Sequence, residues 1–276
     1  MKLGCMVSTP DVTRQGPLAL LTGTFEQKLE KARRLGYDGV ELMVCDPSRL
    51  DVDQVKGLLQ RFGLEVPQVV TGELFGMLGL ALVHPDPAVC EAAMQRTQQV
   101  IRFAGALGSG TLVNIGRLRG RMDWLKITEP IEKRARFITA FQTVADYAAG
   151  FGVRISLEPC NRYEVDFVHN ATDALQVIQE VDRQNFGLML DVFHMNIEDA
   201  SIEAALRQAR PVLWHVHIAD SNRWAPGQGH LDFHSIVQTL EEVDYDDYLS
   251  GEMLPLPDPD TAARQTIEHM RQWVKP

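Results

Sequence analysis

At 276 residues, with 45% hydrophobic and 23% charged side chains, the chain can bury a large core without disulfides or structural metals. A formal charge of -10, from 37 acidic against 27 basic residues, repels polyphosphate and argues against nucleic acid as a partner. No run approaches the roughly 18 apolar residues of a membrane helix, so no membrane span is expected.

The run Met1-Lys2-Leu3-Gly4-Cys5-Met6-Val7-Ser8 is too short for a signal peptide and reads as a first strand. The four cysteines, Cys5, Cys45, Cys90 and Cys160, stand alone with no Cys-x-x-Cys pair, so the expected location is cytoplasmic. Strand patterns follow at 3–7, 40–44, 65–70, 111–115, 153–158, 187–191, 212–217 and 248–252. Between them lie helical patterns near 25–35, 51–62, 87–107, 130–149, 171–182, 201–209, 232–242 and 259–273. Asp51, Asp86-Pro87, Thr172 and Asp232 suit helix N-termini.

Strands alternating with helices imply a parallel sheet, and eight such units fit the length of a closed barrel. The first strand runs into Ser8-Thr9-Pro10 rather than the Gly-x-Gly-x-x-Gly of an open nucleotide-binding sheet. The expected fold is therefore α/β, a single (β/α)8 TIM barrel over residues 1–276. The longer connections near 71–86, 116–129 and 218–231 fall on the side where a barrel builds its active site.

Four residues end successive predicted strands: Glu158, Asp191, His217 and Glu252, separated by 33, 26 and 35 residues. Neighbouring strands lie about 4.8 Å apart, so four such ends converge on one small volume. A lone strand-end acid is often a helix cap or an ion-pair partner. Three carboxylates gathered together would repel, whereas one divalent cation shared by all four removes that cost. Oxygen ligands with one imidazole favour Mn²⁺, Mg²⁺ or Co²⁺ over a thiolate-seeking metal.

Glu164, His194 and Arg223 lie on loops close behind these ligands and form a candidate substrate layer. His215 shares the inward side of its strand with His217 but sits one layer deeper, as a packed core histidine. The arginine loop Gly116-Arg117-Leu118-Arg119-Gly120-Arg121 is either solvated or offers a guanidinium to a substrate carboxylate.

The segments Glu158-Pro159-Cys160-Asn161-Arg162-Tyr163-Glu164, Leu190-Asp191-Val192-Phe193-His194-Met195-Asn196-Ile197-Glu198 and His217-Ile218-Ala219-Asp220-Ser221-Asn222-Arg223 resemble the ketose 3-epimerases. These include the D-tagatose and D-psicose 3-epimerases, within the xylose-isomerase-like barrels. Across nearly the whole chain the likeness is greater to the 5-keto-L-gluconate epimerase branch, through Thr71-Gly72, His84-Pro85, Arg119-Gly120-Arg121 and Ser221-Asn222-Arg223-Trp224. The resemblance implies that Glu158, Asp191, His217 and Glu252 bind one divalent metal, Mn²⁺ first. Glu164, His194 and Arg223 would contact the substrate; should that substrate be an acid, the reading of the arginine loop makes Arg119 and Arg121 its carboxylate partners. It leaves room for a homo-oligomer.

These residues suit epimerisation of a keto-sugar or keto-sugar acid through an enediolate. One of Glu158 and Glu252 would remove the proton beside the ketone, and the other would return a proton to the opposite face. An aldose–ketose isomerase would use the same enediolate and protonate the neighbouring carbon. An endonuclease IV-type nuclease would need further histidines where Asn114 stands. A non-catalytic sugar-binding barrel would not need both glutamates.

Overall fold

The computed structural model describes residues 1–14 and 16–275. Its strands are β1 (Lys2–Ser8), β2 (Gly39–Met43), β3 (Gln68–Val70), β4 (Leu112–Ile115), β5 (Arg154–Leu157), β6 (Phe186–Asp191), β7 (Leu213–Ile218) and β8 (Tyr248–Gly251). Each pairs in parallel with the next, and β8 pairs with β1, so the sheet closes into the expected eight-stranded barrel. The chain thus leaves every strand towards the same mouth.

The outer helices are α1 (Phe25–Leu35), α2 (Val52–Phe62), α4 (Pro87–Leu107), α5 (Pro130–Ala149), α6 (Ala171–Val181), α8 (Ile202–Ala209), α9 (Phe233–Glu242) and α10 (Pro259–Met270). Asp51, Asp86 and Asp232 cap their helices as expected, because each carboxylate accepts from first-turn amides left without helical partners. For α6 the cap is Asn170, whose side chain accepts from Asp173 N, rather than Thr172. Helix α1 begins with a capping box of Thr24 and Gln27 and stops at Gly36, whose φ of 94° a side chain would resist. Two short helices were not legible in the sequence: α3 (Gly72–Gly76) and α7 (Val192–Glu198). Neither has enough turns to show a helical period.

Apolar side chains of helices and strands form one continuous layer around the barrel, including Leu29, Val40, Phe137, Phe141, Phe186 and Phe233. The barrel interior differs. Ser156 Oγ donates to Gln68 Oε1 at 2.7 Å, and Gln68 Nε2 donates to Glu41 Oε2 at 3.1 Å. Glu41 also contacts His215 and His217 from across the barrel, and all five residues are fully buried. A hydrogen-bonded polar core stands where such barrels usually stack branched aliphatics. It confirms His215 as a packed core histidine and supports the site above it.

Candidate metal and substrate site

Glu158 follows β5, Asp191 ends β6, His217 lies near the end of β7 and Glu252 follows β8. One ligand atom from each lies within 4.8 Å of the others, and all four residues are buried. Asp191 Oδ1 caps α7 by accepting from Phe193 N at 2.9 Å, which aims Oδ2 into the cluster. Asp191 Oδ2 and His217 Nδ1 are buried without a hydrogen-bond partner. Buried polar atoms are rarely left so, and a cation would satisfy both at once. The donor set therefore fits a divalent metal.

The ring of His217 is oriented from behind. Its Nε2 lies 3.0 Å from Glu41 Oε2, so with the proton on Nε2 the lone pair of Nδ1 faces the cluster. Glu41 is in turn held by the 2.5 Å contact of its Oε1 with His215 Nε2. Without a cation, the charges in the cluster oppose one another. Burial and the Glu252 charge push Glu158 up to about 8, and the same two causes push Asp191 up to about 7. Burial works against Glu252 as well, yet a protonated His217, whose Nδ1 lies 3.3 Å from Glu252 Oε2, and Arg223 hold it down at about 2. Buried acids this close repel one another, a cost that one bound cation would remove.

Glu158 and Glu252, but neither Asp191 nor His217, line a cavity of about 720 Å³ at the mouth. Glu164, His194 and Arg223 line it too. Arg223 Nη1 donates to Glu164 Oε1 at 2.6 Å and Nη2 to Glu252 Oε2 at 3.3 Å, tying two loops together. Arg223 has a φ of 61°, an unusual value outside glycine, held by Arg223 N to Asp220 O at 2.7 Å and Leu254 N to Arg223 O at 2.8 Å. Asn161 Nδ2 donates to His194 Nδ1 at 2.8 Å, leaving Nε2 facing Asp191 and Glu158 at 3.6 and 3.9 Å. Burial and Arg223 lower His194 to about 3, which keeps this imidazole neutral.

The two arginines expected to meet a substrate carboxylate lie elsewhere. Arg119 is completely buried and donates to the carbonyl oxygens of Gly116, Glu158, Phe167 and Val168, so its guanidinium is committed to backbone. Arg121 is paired with Asp123 at 2.7 Å and does not line the cavity. Of that loop's arginines Arg117 does, joined by Arg14 from the β1 loop. Sequence reading also passed over Glu41, although an acid between Val40 and Leu42 in a buried strand is itself a signal. Asn114 Nδ2 donates to Glu158 Oε2 at 3.1 Å, so this strand end supports a ligand.

The sequence model of the xylose isomerase-like TIM barrel family matches residues 29–273. The chain belongs to that family, and within it to the ketose 3-epimerases; it is an enzyme. It is 33% identical over 223 residues to the L-ribulose 3-epimerase of Methylomonas sp. (strain DH-1), covering 78% of this chain and 73% of that one. It is 35% identical to the D-psicose 3-epimerase of Agrobacterium fabrum, covering 80% and 76%. With the 3-dehydro-D-guloside 4-epimerase of Escherichia coli it shares 28% identity over 89% and 93%. The solved D-allulose 3-epimerase of Methylomonas sp. superposes with a TM-score of 0.79 at 26% identity, covering 99% and 98%. None of these relatives is a 5-keto-L-gluconate epimerase. Among the described residues no helix is long and apolar enough to cross a membrane.

Proposed function

We propose that the protein is a divalent-metal-dependent epimerase that inverts the carbon beside the ketone of a keto-sugar or keto-sugar acid. The observation that carries this reading is the split within the ligand set. All four ligands converge, yet only the two glutamates also face the cavity. A bound divalent ion, with Mn²⁺ preferred over Mg²⁺ or Co²⁺, supplies positive charge against the negative charge that develops on the carbonyl oxygen. One of Glu158 and Glu252 takes the proton from the carbon beside the ketone. The other returns a proton to the opposite face, so configuration inverts with no change in composition. Arg223, Glu164 and His194 hold the substrate oxygens, and the backbone bonds that fix Arg223 keep this wall in place.

Two kinds of relative support the reading. A 3-epimerase of ketoses and a 4-epimerase of a 3-dehydro guloside both invert a carbon next to a carbonyl. For an acid substrate, Arg14 and Arg117 are the cations that face the cavity besides Arg223, and Arg119 and Arg121 do not line it. The wider family also includes aldose–ketose isomerases, which would return the proton to the neighbouring carbon. A substrate panel of ketoses and keto-sugar acids, incubated in D₂O with metal-free and Mn²⁺-loaded protein and followed by NMR, separates these readings. Metal-dependent deuterium beside the ketone with an epimer as product is expected. An aldose product favours the isomerase, and tight Mn²⁺ binding with no exchange in any substrate sinks the epimerase reading.

A further inference from the structure

Among the acids that line the cavity, Glu73 stands apart. It lies on α3, in the loop after β3, and in a closed ring of eight strands β3 is opposite β7, which carries His217. The other three acids of the cavity wall are partnered: Glu158 by Asn114, Glu164 and Glu252 by Arg223. Glu73 as a residue is only 4% exposed, and among the described residues its carboxyl makes no hydrogen bond and no ion pair. The β1 loop passes over it so closely that a Cβ on Gly16 would collide with Glu73 Oε1. Burial raises this carboxyl above the ordinary carboxylate range, against the pull of Arg117. Beside it the cavity floor is Met6, Met43 and Val70, which offer no polar side-chain atom to compete for a ligand.

A desolvated carboxyl without a protein partner costs stability, and a ligand that satisfies it repays that cost. We propose that Glu73 is a specificity-determining residue that takes a hydroxyl on the part of the sugar chain remote from the metal cluster. This rests on the epimerase reading and adds the end of the substrate that selects among keto-sugars. A site built around a hydroxyl discriminates against the analogue that lacks it, because the carboxyl is then left desolvated and unpaired.

The test uses the metal-loaded protein and Glu73→Met, which keeps the volume and removes the polar atoms. Without sugar, the Tm of the variant should rise, since an unpartnered carboxyl has been removed; a fall of several degrees would show a structural role and overturn the proposal. With D-fructose, D-tagatose and L-ribulose as probes, kcat/KM for the ketohexoses should drop by about 10- to 100-fold, mostly through KM, with a much smaller drop for the ketopentose. Equal losses on all three sugars would also overturn it. If the wild type converts none of the probes, the epimerase reading loses its support on these sugars, while a fall in the sugar-free Tm still overturns the role given to Glu73.

Discussion

The two halves of the barrel use the same strand-helix unit for different work. From β5 to β8, every strand delivers a candidate metal ligand to the mouth: Glu158, Asp191, His217 and Glu252. From β1 to β4, the corresponding wall is Met6, Met43, Val70 and Asn114, with Arg14, Glu73, Phe75 and Arg117 on the loops above. On the proposed reading, the first group would serve the chemistry and the second the selection of substrate. A charged cluster needs rigid donors on adjacent strands, whereas a substrate's remote end needs shape and a few hydrogen bonds. Yet the halves are not independent. Glu41 of β2 orients His217, Asn114 of β4 holds Glu158, and Arg119 of the β4 loop grips the backbone at Glu158.

The largest effect should come from the ligand half. Glu158→Gln and Glu252→Gln each remove a proton carrier, so kcat should fall by about 100- to 10,000-fold with the fold retained by circular dichroism. Near-wild-type turnover in both variants would end the assignment and leave the two halves chemically alike. Next comes the tie between them. Arg119→Met strips donors from four buried carbonyl groups and should cost about 3–5 kcal/mol, lowering Tm on the order of 10 °C. Lysine should restore only part of this, because one ammonium cannot reproduce the planar fork. An unchanged Tm with a raised KM would return Arg119 to the substrate.

A smaller effect is expected from Glu41→Gln, which weakens the support of His217 without touching the cavity. Mn²⁺ affinity should drop about 10- to 100-fold by titration calorimetry, and the ¹⁵N shifts of the His217 ring should report a changed tautomer balance. If affinity and shifts both hold, the first half contributes only shape.

The smallest effect lies in the ligand half but away from its cluster. Asp199 has one buried carboxyl oxygen without a partner, and burial raises its pKa from 3.8 to about 6. A carboxyl raised on folding favours the folded state fully below its unfolded pKa, and that contribution is lost as pH rises through about 6. Asp199→Asn should therefore stabilise the protein at pH 7.5 by about 1 kcal/mol, a value reduced for its partial exposure, and by nothing measurable below pH 4. Equal thermal shifts at both pH values would show that the carboxyl's charge is not the cause.

Much of this protein was written locally. Alternating apolar runs dictate eight strands and eight long helices, because burial on both sheet faces leaves a pattern each segment carries by itself. Strand-end Glu158, Asp191, His217 and Glu252 could be placed together for the same reason: in a parallel barrel, the end of a strand is a fixed address. Neighbouring positions behave otherwise. Arg119 and Arg117 are two residues apart in one loop, yet one is sunk among backbone carbonyls and the other faces the cavity. No local pattern distinguishes them, since the direction of a loop side chain is set by which distant acceptors the closed fold brings near. Glu41 is decided in the same way, its role fixed by His215 and His217 arriving from across the barrel. The sequence determined the barrel and the ends that carry charge, while tertiary structure alone decided which polar groups are spent on the protein and which remain for a substrate.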